Sequence, residues 1–141
     1  MLLHGSKVQF DTFRIPSHGN ELSGASNGML GTWFCRETHA FIAEGYGREG
    51  WVAEVAEPCS DDVVEIPLGK FICWHEEADR DDPAAYYGDI RTKLLARGKT
   101  WIALVEKDGS SPTLVCLAPQ DLVIENWRSL CEPVAEPSPC P

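Results

Sequence analysis

Apolar runs of three to six residues recur along the whole chain: Leu2 to His4, Gly31 to Cys35, Trp51 to Ala56, Val63 to Ile66, Phe71 to Trp74, Trp101 to Val105, Thr113 to Leu117 and Leu122 to Ile124. Runs this short, punctuated by Gly, Pro, Asn and Asp, read as strands, because a packed helix needs a longer stretch to bury a face. Two segments read as helices. Thr38 is placed to cap a short one in which Phe41, Ile42 and Tyr46 share a face, with Gly45 and Gly47 ending it. The stronger one runs from Pro83 to Arg97. Asp82 is its N-cap, Pro83 suits its first turn, and Tyr87, Ile90 and Leu94 form its apolar stripe before Gly98. Asp79, Asp81 and Asp82 at its start and Arg91, Lys93, Arg97 and Lys99 near its end agree with the helix dipole. Lys107-Asp108-Gly109-Ser110 marks a hairpin between two runs. Strands, a helix and then closing strands predict an α+β domain.

A chain of 141 residues supports a single core, placed here in residues 1–130. From Cys131 onward Pro, Glu, Ser and Ala dominate, which predicts a disordered tail over 131–141. Between Lys7 and Gly28 the turn formers Pro16, Gly19, Asn20, Gly24, Asn27 and Gly28 predict a long loop, a candidate lid over a site. The net charge of −10 argues against direct nucleic-acid binding, which needs a Lys/Arg surplus; acidity that maintains solubility is its first reading and a basic partner protein its second. No apolar run reaches the length of a bilayer span, and the start lacks a basic region followed by a long apolar one, so a cytoplasmic protein without membrane contact is expected.

The six cysteines show no Cys-x-x-Cys pair and read as reduced, with Cys35, Cys73 and Cys116 in the core. His75, Glu76, Glu77 and Asp79 are too adjacent to converge on an ion, so no metal is expected. Neither a Gly-x-Ser-x-Gly elbow nor a phosphate-binding Gly-Lys-Ser/Thr loop occurs, which removes the cheapest support for hydrolase and nucleoside-triphosphatase classes.

The chemistry-bearing pattern is one of order. His4-Gly5-Ser6 ends the first strand, Phe10-Asp11-Thr12-Phe13 follows in the loop, Gly31-Thr32-Trp33-Phe34-Cys35 forms the next strand, and Thr113 to Pro119 forms a late one. This order resembles the ADP-ribosyltransferase superfamily, in the branch with His, Tyr and Glu motifs that includes poly(ADP-ribose) polymerases and small phage or bacterial toxin-like domains. The resemblance implies a split, twisted sheet that grips NAD as substrate. It implies that His4 bonds the adenosine ribose, that the Gly5 backbone pairs with the nicotinamide amide, and that Ser6 touches a ribose hydroxyl. Trp33 takes the place of the tyrosine that stacks on nicotinamide, and an indole offers the flat face that a cationic ring favours. Thr113 stands where the family has its glutamate.

By that resemblance the expected activity is NAD-dependent mono-ADP-ribosylation of a target protein with a basic surface, in the manner of a phage effector acting on host or defence proteins. His4, Trp33 and Glu106 are its expected catalytic residues, and His4, Gly5, Ser6, Trp33, Phe34 and Thr113 its expected NAD contacts. The charge missing at Thr113 would come from Glu106 or Glu125 on a neighbouring strand, or from the substrate. The alternative is a non-catalytic acidic inhibitor on the same fold that occludes a basic protein.

Overall fold

The computed structural model describes residues 1–15, 26–80 and 82–131. Its described elements are seven strands, β1 (Leu2–Ser6), β2 (Thr32–Arg36), β3 (Trp51–Val55), β4 (Val63–Pro67), β5 (Trp101–Val105), β6 (Thr113–Cys116) and β7 (Asn126–Ser129), and three α-helices. The helices are α1 (Ala40–Gly47), α2 (Leu68–Arg80) and α3 (Pro83–Ala96), and short 3-10 turns join several elements. One mixed sheet in the order β4-β5-β6-β2-β1-β3-β7 organises them, antiparallel throughout except for the parallel β4–β5 pair. This is the α+β class that the spacing of short runs predicts.

Alternation along the strands sorts the core into layers. Ile66, Ile102, Leu104, Val115 and Leu117 face α2 and α3, where Phe71, Ala78, Tyr87 and Leu94 cover them. On the same face, α1 covers Leu3, Cys35 and Val52. The opposite face carries Leu2, Phe34, Ala53, Val55, Trp101, Ala103, Leu114 and Cys116, under Phe13 and the partly buried Phe10, Leu122, Ile124 and Trp127. The sheet thus has a helical face and a face covered by connecting segments.

Helix α3 begins as read from sequence. The Asp82 carboxylate accepts from the N–H groups of Ala84 and Ala85 at 3.1 and 3.3 Å, and Tyr87 and Leu94 are buried. Replacing Asp82 by Ala leaves those donors to water and should cost about 1 kcal/mol, measurable by urea denaturation.

Four expectations are corrected. Phe71 to Trp74 is not a strand but part of α2: Phe71, His75 and Ala78 recur at helical spacing toward the sheet, while Ile72 is about half exposed. A four-residue apolar run fits either period, and here the longer helix prevails. Cys73 on the outer side of α2 is consequently exposed, whereas Cys35 and Cys116 are buried, and the five described cysteines are free. Helix α1 buries Ala43 and Gly47 rather than Phe41 and Tyr46, both more than half exposed, because only small residues allow it to lie this close to β1. The last strand is β7, not Leu122 to Ile124. The latter two residues pack on the core from an irregular segment, and β7 is fixed to β3 by its ladder and by Arg128, which bonds the carboxylates of Glu54 and Glu37. That bond to Arg128 holds the Glu54 carboxyl below its usual range.

Asp81, the stretch 16–25 of the expected lid and residues 132–141 of the expected tail lie outside the described residues. Among the described residues no helix is long and apolar enough to cross a membrane.

Candidate functional site

The sheet changes character between β1 and β2. Strand β1 pairs with β3 over all five of its residues, but with β2 only at Leu2↔Arg36 and Leu3↔Cys35. From His4 onward the two strands carry no ladder, so the sheet divides into a β4-β5-β6-β2 half and a β1-β3-β7 half, joined at one end. The divergence falls at the His4-Gly5-Ser6 and Gly31 to Phe34 segments.

The direction of the backbone groups follows from neighbouring bonds. The Arg36 N–H donates to the Pro112 carbonyl on the β6 side, so alternation turns the N–H and C=O of Phe34 to β6 and those of Trp33 and Cys35 to β1. The Glu54 carbonyl accepts from Glu125 on the β7 side, so Val55, Ala53 and Trp51 bond Leu2, His4 and Ser6. The Gly5 N–H and C=O are therefore turned into the divergence, toward Trp33. A donor and an acceptor side by side on one glycine match what a carboxamide presents.

The side chains named from sequence are shared between the two faces. His4 and Phe34 lie on the segment-covered face: the imidazole meets Phe10, Phe13 and Phe34 at centroid distances of 6.5, 5.1 and 5.4 Å. Its Nδ1–H donates to the Trp33 carbonyl at 2.7 Å, which bridges the divergence. Although part of its surface reaches solvent, this dense packing holds the His4 pKa below the usual 6.5 by desolvation, against the raising effect of the Trp33 bond. Neutral imidazole is the resting form near pH 7. The Ser6 hydroxyl donates to the Val8 carbonyl at 2.6 Å and accepts from the Val8 N–H, closing a turn in its own chain.

Gly5, Trp33 and Thr113 lie on the helical face. The Trp33 ring is half-buried edge-to-face on Phe71, with centroids 5.3 Å apart. Gly5 lies directly under α1, and a Cβ there would overlap the Ala43 carbonyl oxygen. Gly31 is equally constrained by the Cys116 carbonyl on β6. Both motif glycines thus have a packing reason as well as any ligand reason. Thr113 pairs with Cys35, two residues along from the Trp33↔Val115 pair.

The acids are dispersed. Glu106 follows β5 at the hairpin, its N–H donating to the Ser110 carbonyl, on the far side of β6 from the divergence. Glu125 is exposed beside β3 and β7. Sequence reasoning overlooked Glu37, in the 3-10 turn after β2, and Glu44, on α1. Their charges reach the Cys35 thiol, across from Thr113, and add to the burial that pushes its pKa up. Glu37 is held by Arg128, while Glu44 is exposed. The legible signal was the helix that starts just after the second motif. Among the described residues no three His, Cys, Asp or Glu side chains converge as metal ligands; His75 instead bonds Tyr87 and Asp79. Compared with known proteins, the chain matches no family model, no curated protein and no solved structure.

Proposed function

We propose that the divergence between β1 and β2 is a nicotinamide site, and that the chain uses NAD to ADP-ribosylate a protein with a basic surface. The observation that carries the reading is the loss of the β1–β2 ladder after Leu3↔Cys35, with the Gly5 N–H and C=O turned into the opening. A carboxamide inserted there would find its complementary donor and acceptor, with the Trp33 indole beside it to meet the cationic ring. His4, Ser6, Phe34 and Thr113 would complete the NAD surroundings, His4 and Phe34 acting from behind the sheet.

In the transfer, the glycosidic bond to nicotinamide breaks and its electron pair leaves with the ring. The sugar cation is then captured by an acceptor side chain that loses a proton. A carboxylate near Thr113 would steady the cation. Glu106 and Glu44 are the two to test, Glu44 because α1, which carries it, lies directly on β1 at Gly5 while Glu106 lies beyond β6. With radiolabelled NAD and a cell lysate, the wild type should label a protein. Glu44→Gln should reduce labelling by on the order of 10²-fold and Glu106→Gln should leave it. The reverse pattern moves the acid to Glu106. A second reading, a non-catalytic acidic inhibitor that occludes a basic protein, is favoured by Thr113 itself. It predicts no rise in melting temperature at millimolar NAD and no labelled protein from the wild type.

A further inference from the structure

Strand β4 is one edge of the sheet, three strands from the β1–β2 divergence, and among the described residues nothing pairs with its outer side. The Asp62 carbonyl accepts from Thr100 on the β5 side, so alternation turns the groups of Val63, Glu65 and Pro67 outward. The Val63 N–H is used by Ser60, Pro67 has none, and the Pro67 carbonyl is taken up by the first turn of α2, which leaves the Glu65 N–H and the carbonyls of Val63 and Glu65.

Two recesses border this edge. One, of about 230 Å³, lies on the segment-covered face and is lined by Glu57, Val63, Glu65 and Ala103, with Arg36 at its wall bonded to Glu57. The other, of about 390 Å³, lies past the strand end and is apolar, lined by Pro67, Leu68, Ile72 and Val105. Glu65, Asp61 and Asp62 have no ion-pair partner among the described residues. A second copy paired edge to edge would set these acids against their own counterparts, which disfavours self-association here.

We propose that the β4 edge receives an extended basic segment of a partner protein as an added strand. A Lys or Arg side chain would enter the recess beside Glu65, the carboxylate there that Arg36 does not hold, and an apolar side chain further along would fill the recess at Leu68 and Ile72. This deepens the basic-partner half of the function proposed above, and it does not require NAD.

The test uses the full chain and a fluorescein-labelled peptide of alternating Val and Lys. Its anisotropy titration should saturate, weaken with salt, and weaken about tenfold with Glu65→Lys, an exposed substitution that should leave the fold intact. Methylating alternate peptide nitrogens should weaken binding comparably, and amide shifts in a ¹⁵N spectrum should centre on β4. Several results overturn the proposal: no binding at millimolar peptide, indifference to Glu65→Lys, indifference to N-methylation, or shifts centred away from β4. NAD is absent from every arm, so failure here is distinct from failure of the nicotinamide site.

Discussion

Replacing Gly5 by alanine should lower the melting temperature by roughly 10 °C. The added Cβ would overlap the Ala43 carbonyl oxygen and lie 2.6 Å from the Gly47 nitrogen and 2.9 Å from the Ala43 carbonyl carbon. All three are backbone atoms, so no rotamer change relieves the contact, and α1 must lift from β1 or β1 must shift. Overpacking of this kind costs about 3 kcal/mol or more. For a chain of this size, each kcal/mol moves the midpoint by about 3 °C. Gly69→Ala is the control: a Cβ there meets nothing within 4 Å, and alanine favours the helix by up to about 1 kcal/mol. Differential scanning calorimetry of the two variants checks the pair. A Gly5→Ala midpoint equal to wild type would mean that α1 does not lie on β1. Since α1 also carries Glu44, the same contact fixes where the candidate acid stands.

His4→Ala should cost about 3 kcal/mol, because it empties a space among Phe10, Phe13 and Phe34 and removes a side-chain bond that bridges the two halves of the sheet beyond their paired end. The imidazole also makes a specific pH signature. Its folded pKa lies below the unfolded value near 6.5, chiefly through desolvation. Above that value the group is neutral in both states and contributes no pH dependence. As pH falls below 6.5, the unfolded chain takes up a proton that the folded chain refuses until its own lower pKa is reached. Stability is therefore lost over that window, by at most about 1.4 kcal/mol per pH unit for this group. Urea denaturation of wild type and His4→Gln across the window should give a difference whose slope disappears above pH 6.5. Parallel profiles would show that His4 protonates freely in the folded state. The Glu54 contribution, from a carboxyl held low by Arg128, is lost only as pH falls below the ordinary carboxylate range, so the slope just below pH 6.5 is free of it.

Local rules made much of the fold legible. Asp82-Pro83 and the Tyr87 and Leu94 spacing defined α3 because capping and amphipathic periodicity both act within one helix. The runs at Trp51, Val63, Trp101 and Thr113 became strands because nothing in them competes with a period of two. Phe71 to Trp74 misled because four apolar residues carry no period, and only packing against Tyr87 and Trp33 reveals which ones turn inward. β7 was illegible for the converse reason: Asn126-Trp127-Arg128-Ser129 has one apolar residue, and its strand form rests on pairing with β3 and on Arg128 reaching Glu54.

At the site, the His4-Gly5-Ser6 and Gly31 to Phe34 segments were legible as successive strands, and their lying side by side comes from the β1–β2 pairing. The assignment of side chains to opposite faces was not legible. It depends on register, and one residue of register exchanges the faces. Glu44 escaped notice because only the approach of α1 to β1, permitted by Gly5, brings it near the second motif.

The nicotinamide site is tested most directly by titrating NAD into the ¹⁵N-labelled chain and following the Gly5 amide and the Trp33 indole N–H. Saturable shifts centred on these two signals, with the β4 and β7 edges unmoved, are the expected result. An unchanged spectrum at millimolar NAD, or shifts that leave Gly5 and Trp33 in place, would contradict it.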